Sequence, residues 1–163
     1  MHRSPTSPTS PDILALAEAT RHSDAIDAVS LSLSDAQWII LGTYLQPICL
    51  PSGQALMEQG VMDRAVYFVE TGSLTVHHED DQKRERLAIV SEGSMLGEGA
   101  FFSHLPRSAT VRAGCMVRLW RLTPLRFREL SQRDPAIALE LTVAMATVMA
   151  RRMYPLSRRD VVI

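Results

Sequence analysis

Residues 65–78 read AVYFVETGSLTVHH, two runs of β-branched and aromatic residues joined at Gly72. Runs of this kind, closed off by a turn residue, signal strands, because branched and aromatic side chains pack well on a pleated surface. The same texture extends in both directions. PICLPSGQALMEQG (47–60) precedes it, and ERLAIVSEG (85–93) and SATVRAGCMVRLWRLT (108–123) follow, with turn residues at Gly53, Gly60, Gly72 and Gly93. Short strands punctuated in this way are expected to form a meandering antiparallel barrel or sandwich.

The period changes to that of helices on either side of this block. ILALAEATRH (13–22) has helical spacing, and in SDAQWIILGTYL (34–45) Ser34 and Gln37 stand three apart, as a capping box requires. Gly42 interrupts that second pattern. PLRFRELSQRD (124–134) opens with Pro near its first helical position, and Asp134-Pro135 introduces a helix, AIALELTVAMATVMARRM (136–153), that is apolar on nearly every face. Such a helix needs two partners, the β block and a second surface. Pro155 is expected to stop it, since the ring removes a donor and clashes with the preceding turn.

The 163 residues are 46% hydrophobic and 21% charged, with a net charge of −1, which suits one domain with a real core. The balanced charge gives no field for non-specific nucleic-acid binding. Cys49 and Cys115 are flanked by apolar residues without metal-site or disulfide spacing, so both are expected to be buried thiols. The opening MHRSPTSPTSPD has no apolar run for a secretory signal, and residues 135–150 are too short to span a bilayer, which points to a cytoplasmic protein. The expected division is a disordered leader at 1–11, N-terminal helices at 12–46, the β block at 47–123, C-terminal helices at 124–154 and a tail at 155–163.

The chemistry concentrates in GSMLGEGAFFSHLPRSATVRAG (93–114), where a lone Glu and a lone Arg stand in a glycine-rich, apolar setting. A buried charge is costly unless met, so such a pair suggests that a polar ligand arrives to join it. Gly97 allows a tight turn and close backbone approach, and GAFF makes one helical turn with unpaired N–H groups. Helix starts attract anions, and the planar fork of Arg107 suits two phosphate oxygens. Glu98 is placed to accept from a sugar hydroxyl, as acidic residues do for ribose. The implied ligand is a nucleotide with a compact phosphate.

LGEGAF (96–101) and PRSATVRA (106–113) resemble the phosphate-binding cassette of cyclic nucleotide-binding domains, the family that includes the CRP/FNR regulators. Gly60, Val66-Tyr67-Phe68-Val69 and Gly72 match that family's earlier strand-and-turn signature, and the similarity covers roughly residues 33–153. The resemblance implies a mainly β fold with flanking α-helices, an antiparallel double-stranded β-helix or jelly roll (β-roll) with N-terminal helices and C-terminal lid helices. The cassette would occupy residues 95–113.

The resemblance further implies Glu98 on the ribose 2′-hydroxyl, Arg107 on the cyclic phosphate, and Ser108 with the Gly97, Ala100 and Ala109 backbone completing a cradle that also includes Gly99. Cyclic AMP is the preferred ligand and cyclic GMP the alternative, with base contacts expected from Leu87 and Val76 on the roll and from Thr147 and Arg151 on the lid. No further cofactor, metal ligand or catalytic group is implied, and the chain is expected to be a sensor rather than an enzyme. Its expected partners are a protein effector or a second copy, met through the C-terminal helix.

Some positions depart from the family pattern. Val61 and Asp63 stand where acidic or small residues are usual, a change expected to touch packing; Phe101 and Gly99 replace aliphatic residues. The CRP/FNR dimer helix and helix-turn-helix are expected to be cut off at Pro155, which argues against DNA reading by this chain alone. A truncated or partner-dependent regulator of that type is the alternative function. His77-His78-Glu79-Asp80 could suggest a metal site, but adjacent strand residues face opposite ways, so a solvated hairpin tip is expected. No nucleophile–base set or triphosphate loop supports a hydrolase.

Overall fold

The computed structural model describes residues 11–160, so the expected leader lies outside the described residues except at its last position. Helix α1 (Ile13–His22) is capped by Asp12, whose carboxylate accepts the Leu14 N–H at 2.9 Å. Helix α2 (Asp35–Gly42) carries the predicted capping box: Ser34 Oγ accepts the Gln37 N–H, and the Gln37 side chain accepts the Ser34 N–H. Gly42 now has a reason, because a Cβ there would lie 2.9 Å from Ile13 Cβ. The glycine lets α1 and α2 touch.

Eight strands follow: β1 (Gln46–Leu50), β2 (Ala55–Met57), β3 (Val66–Thr71), β4 (Leu74–Glu79), β5 (Glu85–Val90), β6 (Met95–Leu96), β7 (Thr110–Ala113) and β8 (Val117–Leu122). They form two antiparallel four-stranded sheets, in the orders β1-β8-β3-β6 and β2-β7-β4-β5. The chain crosses repeatedly between the two sheets, so that together they make the expected β-roll. Helix α3 (Glu98–Ser103) sits between β6 and β7, while α4 (Pro124–Arg133) and α5 (Pro135–Asp160) follow β8.

Strand alternation divides the core into two parts. Tyr67 and Val69 on β3, with Val117 and Leu119 on β8, point into the roll among Leu74, Val90 and Val111. Val66 and Phe68, with Trp120 and Leu122, point the other way, against Leu16 and Trp38 of the N-terminal helices and Leu130, Leu141 and Met145 of α4 and α5. This sheet is therefore buried on both faces, which explains why the VYFV run is continuously apolar. The roll and the C-terminal helices share a wall.

Two expectations fail. Both cysteines are exposed: Cys49 lies on the edge strand β1 and Cys115 in the turn between β7 and β8, and apolar neighbours do not decide which face a strand residue takes. Pro155 does not end α5, whose helical backbone continues to Asp160. A proline inside a helix costs a hydrogen bond and crowds the turn before it, but the turns from Ile137 to Val148, docked on the core, supply the nucleus from which the helix propagates. Among the described residues no helix is long and apolar enough to cross a membrane.

Leu141 is fully buried where α5 meets the shared wall. Leu141→Ala is expected to cost about 2–5 kcal/mol of stability, measured by urea unfolding. A smaller loss would mean that α5 is not part of the folding core.

Candidate functional site

The glycine-rich segment places its two charges on opposite sides of one turn. Gly97, at φ 91°, ends β6 and caps α3. A Cβ there would lie 2.6 Å from the Ala65 carbonyl oxygen and 2.6 Å from Arg107 Nη1, so only glycine leaves room for the guanidinium beneath the turn. Arg107 fills that room at 4% exposure. Its Nη1 donates to the Gly97 carbonyl at 3.2 Å, and its Nη2 donates to the Ala65 carbonyl at 2.6 Å and to Asp63 Oδ2 at 2.7 Å. Its Nε is buried with no hydrogen-bond partner. Of the five N–H donors of this buried cation, that of Nε and one of Nη1 are thus left for something else.

The Gly60 turn holds Arg107 through its backbone as well. Gly60 N donates to the Arg107 carbonyl at 2.8 Å and Arg107 N donates to the Val61 carbonyl at 2.9 Å, so the two segments singled out in the sequence are zipped together. Asp63 is therefore more than a packing substitution, contrary to expectation. Its carboxylate also accepts the Ala65 N–H at 3.1 Å and stands behind the guanidinium, outside the cavity wall.

Glu98, at 6% exposure, does not meet Arg107. It pairs instead with Arg152 of α5, whose Nη1 donates to Glu98 Oε1, while Nη2 donates to the Met95 carbonyl at 2.6 Å and to Asp27 Oδ2 at 3.0 Å. The chain itself thus supplies a partner for each charge, which the sequence reading did not include. A long sequence separation hid both partners.

A cavity of about 590 Å³ opens between the cassette, the β4–β5 face, α5 and the α1–α2 connection. Gly97, Glu98, Gly99, Ala100, Arg107, Ser108 and Ala109 all line it, as do Val76 and Arg151. Leu87 and Thr147 do not. Leu87 pairs across the hairpin with His77, on the face opposite Val76, and is 64% exposed; Ala88 is the residue opposite Val76 and takes the expected place. Thr147 turns its hydroxyl back to the Val143 carbonyl within α5.

The sequence reading missed Ala25, Ile26 and Asp27 of the α1–α2 connection, Met57, Ala88 to Ser91, Leu96, Val111 and Arg152 among the lining residues. Ala88 was recoverable from hairpin register. Nothing local marked Asp27. His77 serves the hairpin, bonding Glu85 at 2.8 Å, while His78 ties it to the cassette through the Ser108 carbonyl at 2.6 Å, and among the described residues no group of three potential ligands could hold a metal.

Burial pushes the Asp63 carboxyl up, but its hydrogen bonds from Arg107 and Ala65 and the nearby positive charge prevail, leaving its pKa below the usual 3.8. A depressed carboxylate contributes stability above its unfolded-state pKa and loses it as pH falls through the folded-state value. Asp63→Asn is expected to be less stable than the wild type at neutral pH, with the gap closing as pH is lowered below about 4 in urea unfolding. A gap that stays constant into stronger acid would show that Asp63 acts without its charge.

The comparisons with known proteins agree with this geometry. The family model for the cyclic nucleotide-binding domain matches residues 47–134, more than half of the chain. The cAMP-activated global transcriptional regulator CRP of Escherichia coli O6:H1 is 33% identical over 98 residues, 59% of this chain and 47% of that protein. The chain thus spans about half the length of the curated relatives it matches. The crystal structure of Thermus thermophilus catabolite activator protein aligns with TM-score 0.69 and 25% identity, covering 78% of this chain and 59% of that one. A cyclic nucleotide-binding domain from Methylobacillus flagellatus KT aligns with TM-score 0.78 at 19% identity, covering 90% and 81%, a likeness of fold. With the family model matched across the roll and the cassette residues gathered on one cavity, the chain belongs to the cyclic nucleotide-binding domain family.

Proposed function

We propose that the cavity binds a cyclic nucleotide, cyclic AMP in preference to cyclic GMP, and that the chain is a cytoplasmic sensor module without catalytic activity of its own. The observation that carries this reading is the buried Arg107 with an unpartnered Nε, set under the Gly97 turn at the wall of the cavity. Three of its donors are spent on the protein, which fixes the guanidinium before any ligand arrives. A cyclic phosphate would take the remaining two donors, on Nε and Nη1, together with the unpaired N–H groups at the start of α3. The volume suits a small organic ligand, for which sites of about 300–1,000 Å³ are usual.

In this reading Glu98 accepts the ribose 2′-hydroxyl, and the base lies toward Val76, Ala88, Val90 and Arg151. The hydroxyl has to share Glu98 with Arg152, so occupancy of the sugar site acts on α5. A ligand shifts an equilibrium of that helix only by the difference between its affinities for the two positions. The preference for cyclic AMP is supported by the name of the Escherichia coli relative, a cAMP-activated regulator. The second reading, the sensing part of a CRP/FNR-type transcription regulator, is supported by the same relative and by the half of its length that the match leaves uncovered.

The receiving partner is proposed to be a second copy. On α5, Ala136, Leu139, Val143, Ala146, Ala150 and Met153 are exposed at alternating spacings of three and four, the seam of a two-stranded coiled coil. Val143→Glu is expected to turn a dimer into a folded monomer in analytical ultracentrifugation. A wild type that stays monomeric at high micromolar concentration would remove this partner.

Isothermal titration with cyclic AMP and cyclic GMP tests the ligand, with tighter binding expected for the first. Arg107→Ala should weaken it by about 2 kcal/mol or more, the loss of a charge-assisted contact to phosphate. Unchanged affinity in that variant would refute the assignment of the phosphate site.

A further inference from the structure

The α1–α2 connection crosses the cavity and presents a carboxylate, Asp27, that the proposed function leaves without a task. This acid is not a loose surface group. Ser94, itself fully buried, donates its hydroxyl to Asp27 Oδ1 at 2.9 Å. The neighbouring backbone is tied to the strand that enters the cassette, through the Ala28–Ser94 bridge and through Val29 N donating to the Gly93 carbonyl at 2.9 Å. The other oxygen, Oδ2, faces Arg152.

The two nitrogens of Arg152 divide their work. Nη1 serves Glu98, whereas Nη2 serves Asp27 and the Met95 carbonyl. The Glu98 contact can therefore be given up while both contacts of the second nitrogen remain. We propose that Asp27 is the resting acceptor for Arg152, which lets the sugar hydroxyl take Glu98 without stranding a guanidinium, and that Asp27 thereby sets the affinity for the ligand. The α1–α2 connection is, on this account, a working part of the site, and Asp27 is a positioning residue that acts through Arg152. This rests on the cyclic nucleotide reading of the cavity.

The physical reason is a competition. With Asp27 present, Arg152 leaves Glu98 for a state that still satisfies its charge. Without Asp27, Glu98 is the one carboxylate left to Arg152 in this cluster, and the hydroxyl must compete with an undivided ion pair in a partly buried place. The phosphate side needs no such device, because Asp63 holds Arg107 from outside the cavity.

The test is a double-mutant cycle read by isothermal titration with cyclic AMP, with thermal melting to confirm that each variant is folded. Asp27→Asn is expected to weaken binding by about tenfold, the scale of one charge-assisted contact. Arg152→Gln is expected to tighten binding, because it removes the competitor for Glu98, and in that background Asp27→Asn should have no further effect. Asp27→Glu should restore part of the affinity. If Arg152→Gln does not fold, Ser94→Ala replaces it, with a smaller loss in the same direction expected because Asp27 is freed to swing. Equal loss from Asp27→Asn in both backgrounds, or no loss from Asp27→Asn and Ser94→Ala, overturns the inference and leaves the site reading intact. No binding of either cyclic nucleotide by the wild type overturns the site reading and this inference with it.

Discussion

A guanidinium taken out of water beneath a glycine turn is the constraint around which this site is organised. Arg107 is buried, so its charge demands hydrogen bonds, and the demand is met by two backbone carbonyls and one carboxylate drawn from separate parts of the chain. Gly97 has to be glycine for the cation to fit, and the Gly60 turn has to lie alongside for Asp63 and Ala65 to reach it. The geometry of the cassette follows from satisfying one cation, and the donors left over are what a ligand would find.

The sugar side obeys a different logic. Glu98 is as buried as Arg107, but its partner comes from α5 and stands inside the cavity rather than behind its wall. One charge is thus held from the rear and remains available, while the other is held from the front and has to be shared. In the proposed function this asymmetry makes the phosphate side an anchor and the sugar side the place where binding acts on a helix. The same α5 supplies Leu141 and Met145 to the core, so a change in how Arg152 is seated is felt by an element on which the roll itself packs.

Much of this architecture can be read along the chain. The strand runs, the Ser34 capping box, the Pro starts of α4 and α5 and the turn glycines are local signals, and each appears where its pattern predicts. Seven candidate ligand residues of the cassette line the cavity together, because a cassette is a contiguous segment whose backbone course follows from its own glycines, and Val76 of β4 and Arg151 of α5 join them. The two candidates that do not, Leu87 and Thr147, failed on orientation. On a strand one step of register moves a side chain to the opposite face, and on a helix the facing depends on how the whole element docks.

What the order of residues determined by itself was the alternation of strand and helix, the glycine turn of the cassette, and the identity of the acid and base beside it. The tertiary structure alone decided what those charges meet. Asp63 with Arg107, and Asp27 and Arg152 with Glu98, are pairs drawn from distant parts of the chain, and no local propensity encodes a distant pair. The exposure of Cys49 and the helical course through Pro155 were settled in the same way. The face a residue turns to solvent, and the support a helix finds along its length, belong to the packed molecule and not to the residue type.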